Sequence, residues 1–398
     1  MINLSLTENA PARTVPLPDV AGRALAHSGV VDASPHPDRA GCWQVRANGT
    51  IGAARISTGD DAIVVRITPK VPIARVLFLL GYRRSSRILL DDPVPVTDER
   101  ELVPAVARLY AAQAEHAVQQ GLMHGYREAD EATHVMRGRL RHSDQLRLHH
   151  GRPLPLEVTH DEYTPDITEN RLLASAAHAL LRIPAELPED VRVRLRRLQR
   201  RFAEITPLPR GCRLPAWQPT RLNARYHHAL RLAELVLRGA SIEHRPGDLT
   251  AHGFLVDTAK LFEDFVTIAL RDALADYPGH SVLQDPCHLD EGNTISLAPD
   301  FVHYDPEGKP STVADAKYKA ERPSGYPNAD VYQMLAYCVA LGLPAGHLVY
   351  AAGNATHGTH RVRGAGITIH QHALELDQPP PQLLEDIGVL ARRLIERS

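Results

Sequence analysis

Ile63, Val65 and Ile67 alternate with Val64 and Arg66, a two-residue period that predicts a β-strand. The Gly-Asp-Asp turn at 59–61 precedes it, so residues 50–69 read as two short strands of a small β domain. After Pro69-Lys70-Val71-Pro72, the run RVLFLLGY is apolar enough to be buried, and DDPVPVTDE at 91–99 reads as a linker.

The period then changes. Leu102, Val106, Leu109 and Ala117 keep near-helical spacing between Glu101 and about Gln120, where Gly121 offers a stop. A second helix is predicted from Glu169 to Leu181, with Leu172, Leu173, Ala176 and Leu180 as its buried stripe. In VRVRLRRLQRRF, Val191, Leu195, Leu198 and Phe202 recur at helical spacing and leave six arginines on the remaining faces. Pro207, Pro209, Pro215 and Pro219 interrupt regular structure before YHHALRLAELVLRGA, and EHRPGD at 243–248 marks another break.

Beyond that break the pattern alternates between helix and strand. A helix is predicted at about 256–275, strands near 281–285, 295–304 and 311–318, a helix near 329–341, and strands near 347–351 and 366–374. Leu384, Ile387, Leu390, Ala391 and Leu394 then describe an amphipathic terminal helix that packs on its own domain. The expected fold class is α+β and multidomain: a β-rich domain at 1–95, a mainly helical region at 96–245 and an α/β domain at 246–398.

Composition narrows the function classes. Lys and Arg number 45 against 47 Asp and Glu, a balance of −2 that excludes an overall basic nucleic-acid wrapper and leaves polyanion contact to local patches. The four cysteines, Cys42, Cys212, Cys287 and Cys338, form no CxxC pair, so zinc-ribbon and iron–sulfur spacings are missing and a reducing cytoplasm is the simplest setting. Neither a signal peptide nor an 18-residue apolar run is present, so a soluble protein with no membrane contact is expected.

Candidate chemistry sits in the third segment. Asp300 follows Pro299, and Asp315-Ala316-Lys317-Tyr318-Lys319 lies fifteen positions further on, with the turn DPEGKP between them. A loop centred on Glu307-Gly308 places Asp300 opposite Asp315 in an antiparallel pair, and the strand period puts Lys317 and Lys319 on the Asp315 face. Two carboxylates so close resist joint ionisation unless a divalent cation lies between them, and Mg²⁺ suits such a half-hydrated site completed by phosphate oxygens. Glu263, in LFEDFV on the preceding helix, is a candidate third ligand for metal or water, or alternatively an exposed acid beside an apolar stripe. Gln333 and Tyr337 share one helix face, suited to contacting a nucleic-acid strand, to bracing the acids, or simply to rim and core packing.

The order helix Glu, Pro-Asp, Asp-x-Lys, Gln-x-x-x-Tyr resembles the PD-(D/E)XK nuclease superfamily, particularly its RecB-type branch. GAARISTGDDAIVVRITPKVPIARVLFLLGY, GLMHGYREADEATHVMRGRL and YTPDITENRLLASAAHALL look like successive blocks of the McrC family, and LFEDFV, PDFV, ADAKYK and DVYQMLAY continue in family order. The resemblance covers roughly residues 50 to 350, and the first fifty match poorly. It implies a C-terminal PD-(D/E)XK domain with a mixed central sheet and a Mg²⁺-dependent endonuclease that cuts modified double-stranded DNA together with McrB, an AAA+ GTPase. By the same resemblance Asp300 and Asp315 hold metal, Lys317 is catalytic, and Glu263 and Gln333 join the site; the Ala316 carbonyl beside Asp315 is a candidate to complete the metal shell. The absence of a G-x-x-x-x-G-K-[ST] loop agrees that nucleotide hydrolysis belongs to a partner, and no compact base-reading module stands out.

Two rival readings stay open: a free-standing RecB-like nuclease, and a ring-binding activator with a vestigial site. Lys319 and Tyr337 are further candidates for DNA contact. Arg137 and Arg139, near Arg141 and Arg147, suit contact with DNA or the partner, or a structural role. The arginines of 191–202 read as a solvated helix face or a phosphate track. His149-His150, His227-His228 and His370-x-His372 lack the companions that tetrahedral metal ligation needs.

Overall fold

The computed structural model describes residues 2–58, 61–82, 101–150, 152–183, 187–209, 211–239, 250–318, 328–351 and 358–396. The stretches DDPVPVTDE and EHRPGD lie outside the described residues.

The hairpin read from residues 50–69 is present as Thr50–Thr58 paired antiparallel with Asp61–Thr68, and Ile63, Val65 and Ile67 are all buried. Two distant segments extend it into a four-stranded sheet. Ile2–Thr7 runs parallel to Asp61–Thr68, and Thr250–Asp257 lies antiparallel along Thr50–Thr58. The second addition depends on glycine: Gly52 has φ +126°, and a Cβ there would lie 2.0 Å from the Phe254 carbonyl oxygen. A separate three-stranded sheet, Arg13–Pro16, Cys42–Ala47 and Val31–Pro35, packs with the helix Asp19–His27. RVLFLLGY belongs to the helix Ile73–Tyr82, most of whose side chains are buried.

The predicted helices of the middle region appear as Leu102–Ala117, Thr168–Arg182 and Glu189–Arg201, followed by His227–Gly239. Their stripes bury as expected: Leu172, Leu173, Ala176, Leu180, Val191, Leu195 and Leu198 have almost no exposed surface. The region is not helical throughout, however. Gly125–Thr133 and Leu156–Thr164 form a long antiparallel pair joined by the short strand Arg139–Leu140 and the helix His142–His149. GYREADEAT has no apolar alternation, and Tyr126 and Tyr163 are 77% and 63% exposed, so this unit carried no buried-face signal.

The last segment builds a six-stranded mixed sheet in the order His280–Leu283, Phe301–Tyr304, Pro310–Lys317, Ala345–Ala351, Thr368–Leu374 and Gly358–Arg361. The three central strands of this order from Pro310–Lys317 to Thr368–Leu374 are parallel, and the outer pairings are antiparallel. The helix Asn328–Leu341 covers one face, where Met334, Tyr337 and Cys338 meet Val302, Val313, Leu348 and Ile369. Thr258–Ala273 and the terminal helix Pro380–Glu396 pack on the other, against Phe301, Ala314, Val349 and Leu374. No described helix is long and apolar enough to cross a membrane.

Candidate active site

Asp300 and Asp315 lie where two strands of the mixed sheet diverge. Phe301 pairs with Ala314 and Val302 with Val313, and the same register carried one residue further brings Asp300 level with Asp315. Asp300 immediately precedes the strand Phe301–Tyr304 and reaches the neighbouring backbone: its Oδ2 accepts from the Ala316 N–H at 3.0 Å. Both acids are buried, at 8% and 2% exposure.

Lys317, two residues beyond Asp315 and so on the same face, places its Nζ 2.5 Å from Asp315 Oδ2. This ionic contact is the nearest compensation the carboxylate has, because neither Asp315 oxygen receives a hydrogen bond of proper geometry. Burial, and then the charge of Asp300, push the Asp315 pKa up to about 7 against the pull of Lys317. For Lys317, burial disfavours the charge, but Asp315, Asp300 and Asp330 outweigh it and hold the ammonium above its ordinary value.

Glu263 stands on the helix Thr258–Ala273, whose buried stripe of Leu261, Phe262, Phe265 and Val266 faces the sheet. Its Oε1 accepts from Gln284 Nε2 at 2.7 Å, and the same Nε2 donates to Asp300 Oδ1 at 3.0 Å. Glu263 therefore joins the acids through an amide. Burial and the charge of Asp300 raise its pKa.

Gln333 and Tyr337 meet each other rather than the carboxylates. Gln333 Nε2 donates to Tyr337 Oη at 2.8 Å, and that hydroxyl reaches the Ala298 carbonyl at 3.4 Å, so the pair braces the chain leading into Asp300. Lys319 lies outside the described residues. Arg137 and Arg139 belong to the exposed strand unit of residues 125–164, where Arg137 pairs with Glu131.

Sequence reasoning did not find Gln284 or Asp330. Asp330 is buried near the start of the helix Asn328–Leu341 and accepts from Tyr350 Oη at 3.2 Å, with Tyr350 opposite Lys317 in the parallel pair. Gln284 has one local signature, a φ of +53° in a residue other than glycine. Of the histidines, His347, His370 and His372 stack on adjacent strands, His149 pairs with Glu157 and His227 with Asn223. Among the described residues, no three His, Cys, Asp or Glu side chains converge to hold a metal by themselves. Two acids with a backbone oxygen and water would satisfy the preference of Mg²⁺ for few protein ligands.

The fold and site thus define an α+β chain whose mixed sheet carries paired buried acids beside a lysine. The sequence pattern of the McrBC 5-methylcytosine restriction system component family matches residues 45–351, and the chain belongs to that family. No curated protein matches it. In fold it is similar to a chain of the refined half-complex from the tetradecameric assembly of Thermococcus gammatolerans McrB AAA+ hexamers with bound McrC. That likeness has 18% identity and a TM-score of 0.62, and covers 99% of this chain and 100% of the other. A chain of the Thermococcus gammatolerans McrBC complex is similar at 21% identity and a TM-score of 0.41, over 70% of this chain and 89% of that one.

Proposed function

We propose that the chain is the nuclease subunit of a modification-dependent restriction system, a PD-(D/E)XK enzyme that hydrolyses DNA phosphodiester bonds with Mg²⁺ in complex with an AAA+ GTPase of McrB type. The observation that carries this reading is the convergence of Asp300, Asp315 and Lys317, with Asp315 buried and compensated only by the Lys317 ammonium. Such a carboxylate is unfavourable by itself and is well suited to a divalent cation. Asp300 and Asp315 would hold the metal. The Ala316 carbonyl is a fitting third oxygen, because the N–H and C=O of one strand residue face the same neighbour and its N–H already meets Asp300.

Bound Mg²⁺ would neutralise phosphate charge and make a water more acidic. Lys317 acts as a cation and not as a base, since its acidic neighbours keep it protonated; its ammonium orients the attacking water or a phosphate oxygen. Asp300 is held by the Ala316 N–H and Gln284, and Tyr337 steadies the preceding residues. Glu263, one amide from Asp300, fits an outer place that binds water beside the metal. Arg139 is exposed and suits contact with DNA or the partner. Family membership and the likeness to a chain from an assembly of McrB hexamers with bound McrC support the partner.

The test is cleavage of methylated and unmodified DNA by the purified chain with a McrB-type partner, GTP and Mg²⁺. Wild type should cut the methylated substrate, and Asp315→Ala or Lys317→Ala should lower cutting roughly a thousandfold while still co-eluting with the partner. Undiminished cutting by both variants would defeat the site assignment. Cutting by wild type with Mg²⁺ alone would instead identify a free-standing nuclease, and GTPase stimulation without any cutting an activator.

A further inference from the structure

Gln284 follows the edge strand His280–Leu283 and adopts φ +53°, the left-handed region that a side chain with a Cβ enters at a penalty of about 1 kcal/mol. Backbone strain of this kind persists where the surroundings impose it, and here they are specific. The Gln284 N–H donates to the Asp300 carbonyl at 3.2 Å, which fixes the main chain beside the acid. Its side-chain Nε2 lies 2.7 Å from Glu263 Oε1 and 3.0 Å from Asp300 Oδ1. Both neighbours are carboxylates, so the amide must present its NH₂ group, whose two hydrogens match the two acceptors.

The result is a bridge between two carboxylates on different elements, the helix bearing Glu263 and the strand end bearing Asp300. With Oδ1 on Gln284 and Oδ2 on the Ala316 N–H, each Asp300 oxygen accepts one hydrogen bond and retains a lone pair. Asp300 is thereby oriented without being saturated. Asp315, across from it, has no comparable donors. The arrangement presents one fixed and one open carboxylate to the same space.

We infer that Gln284 is a positioning residue of the metal site, which ties Glu263 to Asp300 and sets the orientation in which Asp300 receives a divalent cation. This rests on the metal-site reading above. Partners that orient metal ligands typically change affinity by about 10- to 100-fold when removed, and Gln284 belongs at the lower end because the Ala316 N–H still holds Asp300.

The experiment is Mn²⁺ binding to the full chain, followed by electron paramagnetic resonance, with thermal unfolding measured alongside. Gln284→Gly removes the amide at a φ that glycine adopts freely; Gln284→Asn keeps an amide that is too short to reach Glu263 and tolerates the same φ. Both should weaken Mn²⁺ binding about tenfold with no loss of thermal stability, and the Gly substitution should have a smaller effect in a Glu263→Ala background than in wild type. Mn²⁺ binding unchanged by either substitution overturns this inference alone, and an equal effect with and without Glu263 overturns the bridge. Wild-type protein that takes up no Mn²⁺ sinks the metal-site reading and this inference together.

Discussion

Asp315→Asn removes a charge whose burial and repulsion by Asp300 outweigh the attraction of Lys317, so it should stabilise the metal-free protein while eliminating a metal ligand. The Asp315 pKa rises from 3.8 to about 7 on folding, so the folded state resists deprotonation through that interval. A raised carboxylate pKa means that stability is full below pH 4 and falls as pH climbs towards 7, the reverse of an acid held in a favourable salt bridge. Each pKa unit is worth ~1.4 kcal/mol, so the penalty is about 2 kcal/mol at pH 5 and about 4 kcal/mol at pH 8. Asparagine has nearly the same shape and no charge, and should recover most of that amount. The assay is urea unfolding of wild type and variant in a chelator at both pH values, repeated with Mg²⁺. The variant should be the more stable protein in chelator, by more at pH 8 than at pH 5, and should lose the stabilisation that Mg²⁺ confers on wild type. Equal stabilities at pH 8, or a difference that does not vary with pH, would refute the reasoning.

Asp166 provides the opposite case. Burial would raise its pKa, but hydrogen bonds from Arg171 and Thr206 outweigh this and hold it below the usual carboxylate range, with Arg127 adding a contact at 2.6 Å. Asp166→Asn should therefore destabilise by about 1 kcal/mol at pH 7 in urea unfolding, the partly exposed arginines being screened by water, with the gap closing as pH falls below ~4. Gly52→Ala meets both an unfavourable φ and the Phe254 carbonyl, so it should destabilise by more than ~2 kcal/mol and accelerate amide exchange along Thr250–Asp257. Unchanged exchange in that strand would show that the two backbones have room to separate.

Much of the candidate site was legible because it is local. The two-residue period of a strand determines that Lys317 shares the Asp315 face, whereas Asp300 comes level with Asp315 only because a bulge between His303 and Tyr304 shifts by one residue the register that the turn sets. Gln333 and Tyr337 were likewise paired correctly by helical spacing, although their hydrogen bond with one another and the reach to Ala298 were not visible in advance. Gln284 could not be found this way. Gln284 falls within the strand predicted near 281–285, whereas the strand ends at Leu283, and its amide acquires meaning only when a helix residue at 263 and a strand-end residue at 300 come to either side of it.

The same division holds for the fold. The helices Leu102–Ala117, Thr168–Arg182 and Glu189–Arg201 were set by short-range apolar periodicity and the strands Pro310–Lys317, Ala345–Ala351 and Thr368–Leu374 by short apolar runs, whereas the helix His142–His149 and the edge strand Gly358–Arg361, which bury no apolar face, were not foreseen. The strand unit of residues 125–164 escaped because neither of its faces carries a regular apolar row. Only the tertiary structure decided that Thr250–Asp257 closes the edge of a sheet begun at the N-terminus. It also decided that Asp315 is buried beside a second acid with the Lys317 ammonium as its compensation. Backbone edges pair through groups that every residue possesses, so the partner is chosen by close approach in space, here at Gly52, and not by any periodicity along the chain.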